Sequence, residues 1–460
     1  MPKKKTALTI EERLQQALVP AKEQPYEVPE NWVWVRLGAF AETISKGTTP
    51  KGGSAAYVDE GVNFLRVENL TSDGYISHSK ITHITEEMHE NYLKRSILKA
   101  NDLLISIAGS LGKSAIVREC DLPINTNQAI AFVRLFADKI DVNYIRNTIE
   151  SPLINSVLTK QTKVTSIPNL TLEIIKDCPI PLPPLSEQQR IVERIEELFT
   201  KLDEAKERLQ EVADSFAVRK AAILHKAFTG ELTKQWRREN GVSDESWEEK
   251  KLGEVGVLER GRSKHRPRND ERLFGGIYPF IQTGDVANAD MFIEKHSQTL
   301  SDFGMQQSKL FVKNTICITI AANIGKVAIL SYDSCFPDSV VGLTTDEKNS
   351  YKYVYYYLST QQKELESKAP ATAQKNINLK VLNDLDIPLP TLPEQHEIVR
   401  LIDDLLARER AVQQAAEQAL ASIDLMKKSI LARAFRGELG TNKASEASAL
   451  ELLKQVLAED

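Results

Sequence analysis

The sequence predicts an α/β (α+β) protein in which two globular domains, each a small mixed sheet with helices, are separated by two long antiparallel coiled-coil helices with pseudo-two-fold symmetry. Three observations predict this fold: the 460-residue chain repeats its motifs in two halves, each half ends in a long apolar seam, and each begins with short β-rich segments. At about 100–200 residues per domain, the length favours two to four domains.

The repeat is clearest where each half enters its helical part. Residues 180–192 (IPLPPLSEQQRIV) match residues 387–399 (IPLPTLPEQHEIV) at nine of thirteen positions, a shift of 207. The same shift superposes AFTGEL at 227–232 on AFRGEL at 434–439. Further upstream, residues 32–38 and 107–115 match residues 247–253 and 320–328 more weakly, at shifts of 215 and 213. Each half therefore has a variable part followed by a well-preserved part.

The preserved part predicts one long helix in each copy. Ser186 with Gln189, and Thr391 with Glu394, form capping-box patterns after Pro-rich runs, and Gly230 and Gly437 stand where a left-handed cap residue is expected. Between them apolar residues recur at spacings of four and three, which is typical of a coiled coil. The predicted seam residues are Ile191, Ile195, Leu198, Leu202, Leu209, Ile398, Ile402, Leu405, Val412 and Ile423.

The apolar seam of each helix needs another apolar surface to pack against. We expect that surface to be the seam of the other long helix in the same chain. An antiparallel pair would place the two variable domains at opposite ends and would set their separation. Arg219 and Glu409 both fall on seam positions, so we expect them to face each other.

The variable parts predict small mixed sheets. Short β-rich runs at 62–67, 103–108, 115–117 and 129–135 precede a helical segment at 142–158, and the second copy repeats this order at 316–321, 326–330 and 351–365. The predicted boundaries are an N-terminal segment 1–30, a first variable domain 31–180, a central helical region 181–245, a second variable domain 246–386, a distal helical region 387–439 and a tail 440–460.

Composition narrows the function classes. The longest apolar runs fall far short of the ~18 residues of a membrane span, so we expect no membrane association and a cytoplasmic protein. The four cysteines form no C-x-x-C pair, and we expect buried free thiols rather than a metal site or a disulfide. The net charge of −5 at first argues against a nucleic-acid partner, but it does not exclude a local basic surface.

No motif predicts catalysis or a metal site. The segment Ala108–Ser114 (AGSLGKS) resembles a phosphate-binding loop, but only two residues separate Gly109 from Gly112 where that loop needs four. Its counterpart at 322–327 (ANIGKV) lacks the first Gly and the hydroxyl. The Gly-Lys turn that survives in both copies is either a tight turn with a solvated Lys or a Lys presented to DNA.

Basic and amide-bearing loops are the remaining signal. Residues 260–268 (RGRSKHRPR) hold five cations among nine residues besides one His, and the aligned residues 46–53 (KGTTPKGG) are also basic and turn-rich. A solvated charge run is one interpretation, and a phosphate-gripping loop is the other. Residues 160–166 and 372–376 add Lys beside Gln, Asn or Thr, the side-chain types that read base edges.

The doubled motif I-P-L-P-x-L-x-E-Q-x-x-I-V, the A-F-x-G-E-L helix ends and residues 232–237 (LTKQWR) resemble the conserved regions of the specificity subunit of type I restriction-modification enzymes. The resemblance covers essentially the whole chain. It implies two target recognition domains, each reading half of a split DNA target, and helices that set the gap and dock two modification subunits, which are N6-adenine methyltransferases.

The resemblance implies that this chain is not an enzyme by itself and carries no cofactor. S-adenosylmethionine, ATP and Mg are expected on partner subunits, with restriction or motor subunits joined through the complex. The two basic loops differ, so the double-stranded target should be asymmetric and bipartite. The alternative function is a coiled-coil scaffold for proteins without DNA specificity, and a third hypothesis is an NTPase using residues 109–114.

The candidate DNA contacts share a basic, hydroxyl or amide side chain in or beside these loops. They are Lys46, Thr48, Thr49, Lys51, Arg66, Asn69, Ser110, Lys113, Lys163, Thr165, Arg262, Lys264, Arg266, Arg268, Gln282, Asn323, Lys326, Lys375 and Asn376.

Overall fold

The computed structural model describes residues 9–71, 73–136, 139–160, 169–369 and 376–459. The chain forms two units, one of Met1–Leu209 with Gln418–Asp460 and one of Gln210–Glu417. Two long helices, α5 (Leu185–Asp214) and α14 (Leu392–Ala434), contribute residues to both units. Each unit contains one sheet-bearing domain and part of both helices.

The first unit has three sheets. Their orders are β1-β9, β2-β8-β5-β6 and β4-β3-β7. Within the third sheet β3 runs parallel to β7, with Leu65 beside Thr126. The strands are β1 (Val33–Arg36), β2 (Ala41–Lys46), β3 (Val62–Leu65), β4 (Thr82–Ile84), β5 (Leu103–Ser106), β6 (Ser114–Ile116), β7 (Ile124–Thr126), β8 (Ile130–Leu135) and β9 (Pro179–Leu182).

The helices of the first unit include two that lie near the two ends of the chain. Helix α1 near the start of the chain contacts α15 near its end, where Arg13 donates to the carbonyl of Leu457 at 3.2 Å. Besides α5 and the end of α14, the helices are α1 (Ile10–Ala17), α2 (Val142–Glu150), α3 (Pro152–Lys160), α4 (Leu172–Lys176) and α15 (Ala449–Glu459).

The second unit has the same arrangement of sheets, and two of its sheets contain one more strand than their counterparts in the first unit. Their orders are β10-β20, β11-β19-β16-β17-β13 and β14-β12-β18-β15. The strands are β10 (Glu248–Lys251), β11 (Gly256–Arg260), β12 (Phe274–Phe280), β13 (Phe292–Ile293), β14 (Gln298–Leu300), β15 (Leu310–Phe311), β16 (Ile316–Thr319), β17 (Val327–Leu330), β18 (Ser334–Cys335), β19 (Val340–Thr345) and β20 (Asp386–Leu389).

The helices of the second unit include the continuation of the first long helix. Helix α11 packs on α6, where Phe228 makes edge contacts with Tyr353 and Tyr357. Besides parts of α5 and α14, the helices are α6 (Phe216–Phe228), α7 (Lys234–Asn240), α8 (Leu252–Val255), α9 (Thr283–Asn288), α10 (Asp302–Gln306), α11 (Tyr351–Thr360), α12 (Gln362–Ser367) and α13 (Leu379–Asn383).

The predicted sheets exist, but the prediction of one small sheet per domain was too simple. Each domain divides its strands between two larger sheets and adds a two-stranded pair. The predicted helix at 142–158 is broken between α2 and α3 because Pro152 has no N–H to donate there. The predicted helix at 351–365 is divided at Gln361.

The two long helices run antiparallel within each unit. In the first unit Glu187 at the start of α5 contacts Thr441 beyond the end of α14, and Asp203 further along contacts Lys427 at 2.6 Å. In the second unit Arg219 of α6 donates to Glu409 of α14, as the seam pattern predicts.

The first long helix is interrupted where the sequence predicts continuity. Helix α5 ends at Asp214 and α6 begins at Phe216. At this point the carbonyl of Val212 accepts from Ser215 Oγ at 3.0 Å and from the Arg219 guanidinium at 3.2 Å. Side chains that insert into the ladder of backbone hydrogen bonds are a known cause of such irregularities. The second copy is one uninterrupted helix of 43 residues.

The predicted seam is buried unevenly. Ile191, Ile195, Ile398, Ile402 and Ile423 are all at most 3 % exposed. Four leucines are half-buried, namely Leu198, Leu202, Leu209 and Leu405. Val412 is 49 % exposed, so its assignment to the buried seam was wrong. The contact near it is polar because Glu409, three residues earlier, pairs with Arg219.

The predicted caps are correct at the helix ends, and at the starts Thr391 directly precedes α14 as predicted, whereas Ser186 does not cap α5. Gly230 and Gly437 have φ of +76° and +75°, the left-handed conformation expected after a helix. Ser186 lies inside α5, which begins one residue earlier. The carboxylate of Glu394 accepts from Thr233 and Arg237, each at 2.7 Å, and so serves tertiary packing.

A buried glutamate ties each long helix to distant parts of its unit. Glu187 accepts from Trp32 Nε1 at 2.8 Å and from Asn442 Nδ2 at 2.9 Å. Glu394, its repeat partner, accepts from Arg237 at 2.7 Å. Both glutamates are 0 % exposed, and the hydrogen bonds that they accept satisfy a buried carboxylate at the same position of both copies.

Three of the four cysteines, Cys178, Cys317 and Cys335, are buried free thiols as predicted, whereas Cys120 is exposed. Within the described residues, no helix combines the length and hydropathy that crossing a membrane requires.

Candidate nucleic-acid interface

One end of the β2-β8-β5-β6 sheet gathers two of the predicted loops. The register pairs Lys46 with Ala131, Ala131 with Ile105, and Ile105 with Ser114. The loop that follows Lys46 and the turn that precedes Ser114 therefore leave the sheet at the same end. Lys46 and Lys113 are both exposed there.

A hydroxyl holds the Gly-Lys turn of the first domain in shape. Ser106 Oγ donates to the carbonyl of Ser110 and accepts from the backbone N–H of Lys113 at 2.9 Å. Ser106 itself is fully buried, whereas the side chain of Lys113 is exposed. The hydrogen bonds of Ser106 therefore fix the backbone of the turn, and the exposed side chain of Lys113 projects from it.

The second domain builds the same turn from different residues. Thr319 Oγ1 donates to the carbonyl of Asn323 at 2.5 Å and accepts from the N–H of Lys326 at 3.0 Å. Asn323 has a φ of +53°, a conformation that Asn tolerates better than most side chains. Thr319, Asn323 and Lys326 stand 213 residues after Ser106, Ser110 and Lys113, so the hydrogen-bond pattern repeats with the sequence.

This geometry rejects the nucleotide-binding hypothesis. The turn joins β5 to the antiparallel strand β6, and Ser114 already belongs to β6. A phosphate-binding loop needs a helix to begin at this point, so that its backbone N–H groups and its dipole meet the phosphates. Residues 109–114 form a hairpin connection instead.

The basic loops after β2 and β11 also occupy equivalent places. Gly47 N donates to Ile130 O at 3.0 Å and Thr48 N to Thr126 O at 3.1 Å. In the second domain Gly261 N donates to Val340 O at 2.9 Å and Arg262 N to Phe336 O at 3.2 Å. A Cβ on Gly47 would stand 2.1 Å from the carbonyl oxygen of Asn127, so the close approach of these loops requires Gly.

In the second domain the loop lines a cleft of about 220 Å³. Three predicted DNA contacts, Arg262, Arg268 and Gln282, meet in its wall. Gln282 Nε2 donates to Gln298 Oε1 at 2.7 Å, and Arg268 pairs with Asp338 at 2.8 Å. Exposed cations beside amide groups and the rings of Phe274 and Phe280 make this cleft suited to a phosphate backbone with exposed base edges.

A sequence model of the family described as "Type I restriction modification DNA specificity domain" matches residues 29–214 and again residues 244–420. The chain belongs to this family. It is a type I specificity subunit with two recognition domains, and a coiled-coil scaffold without DNA specificity is not favoured. Membership implies binding to DNA and assembly with other restriction-modification subunits.

Curated relatives of similar length support this assignment. The chain is 24 % identical over 458 residues to the type I restriction enzyme EcoBI specificity subunit of Escherichia coli, covering 94 % of this chain and 93 % of that one. It is 28 % identical over 429 residues to the MjaVIII specificity subunit of Methanocaldococcus jannaschii, covering 86 % and 92 %.

The fold matches a solved structure. The crystal structure of the HsdS subunit from Thermoanaerobacter tengcongensis superposes with a TM-score of 0.66 at 21 % identity, covering 91 % of this chain and all of that one. The α/β domains and long helices are therefore a fold seen in such subunits.

Within this specificity subunit, other predicted contacts form a second group near the first basic loop. Lys51 lies over the ring of Tyr92, with Nζ 5.4 Å from its centroid. Arg66 lies over Tyr57 at 4.8 Å. Thr48 accepts from the Arg95 guanidinium at 3.3 Å, and Thr49 is half-buried beside it. Lys264 and Arg266 are exposed in the corresponding loop of the second domain.

Some predicted contacts serve the fold. Asn69 is only 2 % exposed, and its amide bonds Ser77 O at 3.2 Å and the Arg66 N–H at 3.0 Å, so the prediction that it contacts DNA was wrong. Asn376 is half-buried, and its backbone forms an isolated antiparallel β-bridge with Ala321. Its side-chain Oδ1 has no hydrogen-bond partner among the described residues. Lys163, Thr165 and Lys375 lie outside the described residues.

Sequence reasoning missed four residues that support the candidate contacts. Ser106 and Thr319 hold the turns, Arg95 supports Thr48, and Gln298 supports Gln282. The first two were detectable, because both copies carry a hydroxyl residue seven positions before the Lys of the turn. Arg95 and Gln298 stand far from the loops in sequence, and no local pattern marks them.

Proposed function

We propose that this chain is the non-catalytic DNA-recognition subunit of a type I restriction-modification complex, in which its two recognition domains read the two halves of an asymmetric bipartite target. The observation that carries this proposal is the repeated turn, in which Ser106 or Thr319 holds an exposed Lys beside a basic loop. The two domains share this turn but carry different residues in their basic loops. Each domain is therefore suited to a different half-site on the same DNA duplex.

The proposal also assigns the partners. The helical parts set the distance between the half-sites and dock two N6-adenine methyltransferase subunits, with restriction or motor subunits joining through the complex in the cytoplasm. S-adenosylmethionine, ATP and Mg are bound by those partners. The hairpin geometry of residues 109–114 supports this division of labour, because these residues form a strand-to-strand turn instead of a phosphate-binding loop before a helix.

Phosphate neutralisation is shared with the partner subunits under this proposal, because the chain carries a net charge of −5. The isolated chain should bind duplex DNA poorly, and the complex with its modification subunits should bind it well and lose affinity steeply with salt. Filter retention of duplex DNA at several salt concentrations measures both.

The decisive test of the function is a genome-wide map of N6-methyladenine with and without this gene. Loss of one bipartite methylated motif on deletion supports the proposal, and re-expression of the chain should restore the same motif. An unchanged methylation map after deletion, in a strain that expresses the modification subunit, would contradict the proposed function.

A further inference from the structure

Arg66 and Gln282 occupy the same place in the two domains. Residues 64–66 (FLR) align with residues 280–282 (FIQ) at a shift of 216, so that Arg66 follows β3 directly and Gln282 follows β12 after one residue. In both, the backbone N–H is held by a side-chain oxygen three residues later. Arg66 donates to Asn69 Oδ1 at 3.0 Å, and Gln282 donates to Asp285 Oδ2 at 2.8 Å.

Backbone hydrogen bonds place this position beside the basic loop in each domain. Asn127 N donates to Leu65 O at 3.2 Å, next to Thr126, whose carbonyl accepts from Thr48. In the second domain Ile281 N donates to Cys335 O at 2.8 Å, next to Phe336, whose carbonyl accepts from Arg262. In each domain the basic loop and the residue preceding Arg66 or Gln282 are thus hydrogen-bonded to adjacent residues of one segment, 126–127 or 335–336.

Neighbouring side chains orient both residues while leaving hydrogen-bonding groups for a ligand. The Arg66 guanidinium lies over the ring of Tyr57 and forms a 3.8 Å ion pair with the exposed Glu68 carboxylate, and 35 % of the Arg66 side chain is exposed. Gln282 is exposed, and its Nε2 donates a hydrogen bond to Gln298 Oε1. The Oε1 atom of Gln282 and the amide nitrogen of Gln298 take no part in this hydrogen bond. Such support keeps a reading side chain in one geometry before DNA arrives.

The two residue types differ in the base edge that they fit. An Arg guanidinium donates two hydrogen bonds to guanine O6 and N7, whereas a Gln amide matches the donor and acceptor of adenine N6 and N7. We infer that Arg66 and Gln282 are equivalent specificity positions, Arg66 reading a guanine in one half of the target and Gln282 an adenine in the other. This inference rests on the proposed function.

The test exchanges the two residue types in the full complex with its modification subunits. Methylated motifs are mapped for the wild-type chain, Arg66→Gln and Gln282→Arg. Arg66→Gln should shift preference at one base pair of one half-site from G·C to A·T by about 10- to 100-fold, with the other half unchanged. Gln282→Arg should make the reverse change in the other half only.

Arg95→Gln is the matched control, since it removes an exposed Arg of the same domain that supports Thr48. It should lower methylation at all sites alike and leave the motif unchanged. Arg66→Ala should relax the same base pair without creating a new preference, which decides the matter if Arg66→Gln yields too little folded complex.

The inference is overturned if the motif keeps its bases in Arg66→Ala and Gln282→Arg, or if either change alters both halves. A half-site without any G·C pair for the first domain, or without any A·T pair for the second, also overturns it. A wild-type complex that methylates no bipartite motif would instead contradict the proposed function.

Discussion

Arg219 of α6 donates a hydrogen bond to Glu409 of α14, and the same guanidinium bonds Ser215 Oγ and the carbonyl of Val212 where α5 gives way to α6. The pair is half-buried, with 30 % and 26 % of the two side chains exposed. One ion pair therefore joins the helices and also supplies a partner for a backbone carbonyl at the interruption.

The first prediction follows from this pairing. Glu409→Leu should destabilise the chain by about 1–3 kcal/mol, because it leaves the Arg219 charge partly buried without its partner. Adding Arg219→Leu should recover part of the loss, since two apolar residues suit a helix seam. Urea unfolding of the single and double variants measures this.

The matched control is Arg208→Leu, which breaks the exposed pair with Glu204 in α5 and should cost less than about 1 kcal/mol. A double variant that loses as much stability as the sum of both single changes would contradict the seam interpretation.

The second prediction concerns the buried pair of Glu394 and Arg237. Glu394→Gln should destabilise the chain by about 1–3 kcal/mol, because the Arg237 side chain is only 7 % exposed and would lose its buried carboxylate partner while keeping the exposed Asp244. Glu397→Gln, which weakens an exposed pair with Arg400 in the same helix, should change the free energy of unfolding by less than about 1 kcal/mol. Equal effects of the two changes in chemical denaturation would refute the assignment.

The third prediction concerns pH. Burial raises the pKa of Asp121, but hydrogen bonds from Arg118 and His78 outweigh it and hold the pKa below 3.8. A lowered folded-state pKa contributes stability above the unfolded pKa, and this contribution is lost as the pH falls through the folded value. Asp121→Asn should therefore cost about 1–3 kcal/mol at pH 7, and the gap should begin to narrow below about pH 4 and close as the pH falls through the lowered folded-state pKa.

Thermal unfolding of both forms between pH 3 and pH 8 tests this third prediction. A gap that stays constant while the pH is lowered further, until both forms unfold, would show that the carboxylate charge is not its source.

The fourth prediction tests the repeated turn. Ser106→Ala should weaken DNA retention by the assembled complex several-fold although Lys113 is intact, because the turn loses both hydrogen bonds that shape it. Thr319→Ser keeps the equivalent hydroxyl and should bind like wild type. If Ser106→Ala binds DNA as well as wild type does at every salt concentration, the turn has no role in positioning Lys113.

Sequence predicted the repeat, the long helices and the family, because these depend on patterns that recur at fixed spacing. The pairing of Arg219 with Glu409 followed from heptad position alone. The interruption at Ser215 could not be predicted, because it depends on the Ser215 hydroxyl and the Arg219 guanidinium both donating to the carbonyl of Val212.

The candidate site was predicted less completely. The basic loops and the Gly-Lys turns were visible locally, but whether Asn69 faces solvent or supports Arg66 depends on the packing of its turn. Likewise Gln298 reaches Gln282 only because β14 pairs with β12. Such contacts between distant residues leave no trace in a single sequence.

The central claim is that each recognition domain reads its own half of the target. Replacing residues 246–386 with the corresponding domain of another specificity subunit, followed by a genome-wide map of N6-methyladenine, tests it most directly. The account predicts a bipartite motif that keeps one half and replaces the other. A motif that stays unchanged, or that changes in both halves, would contradict the account.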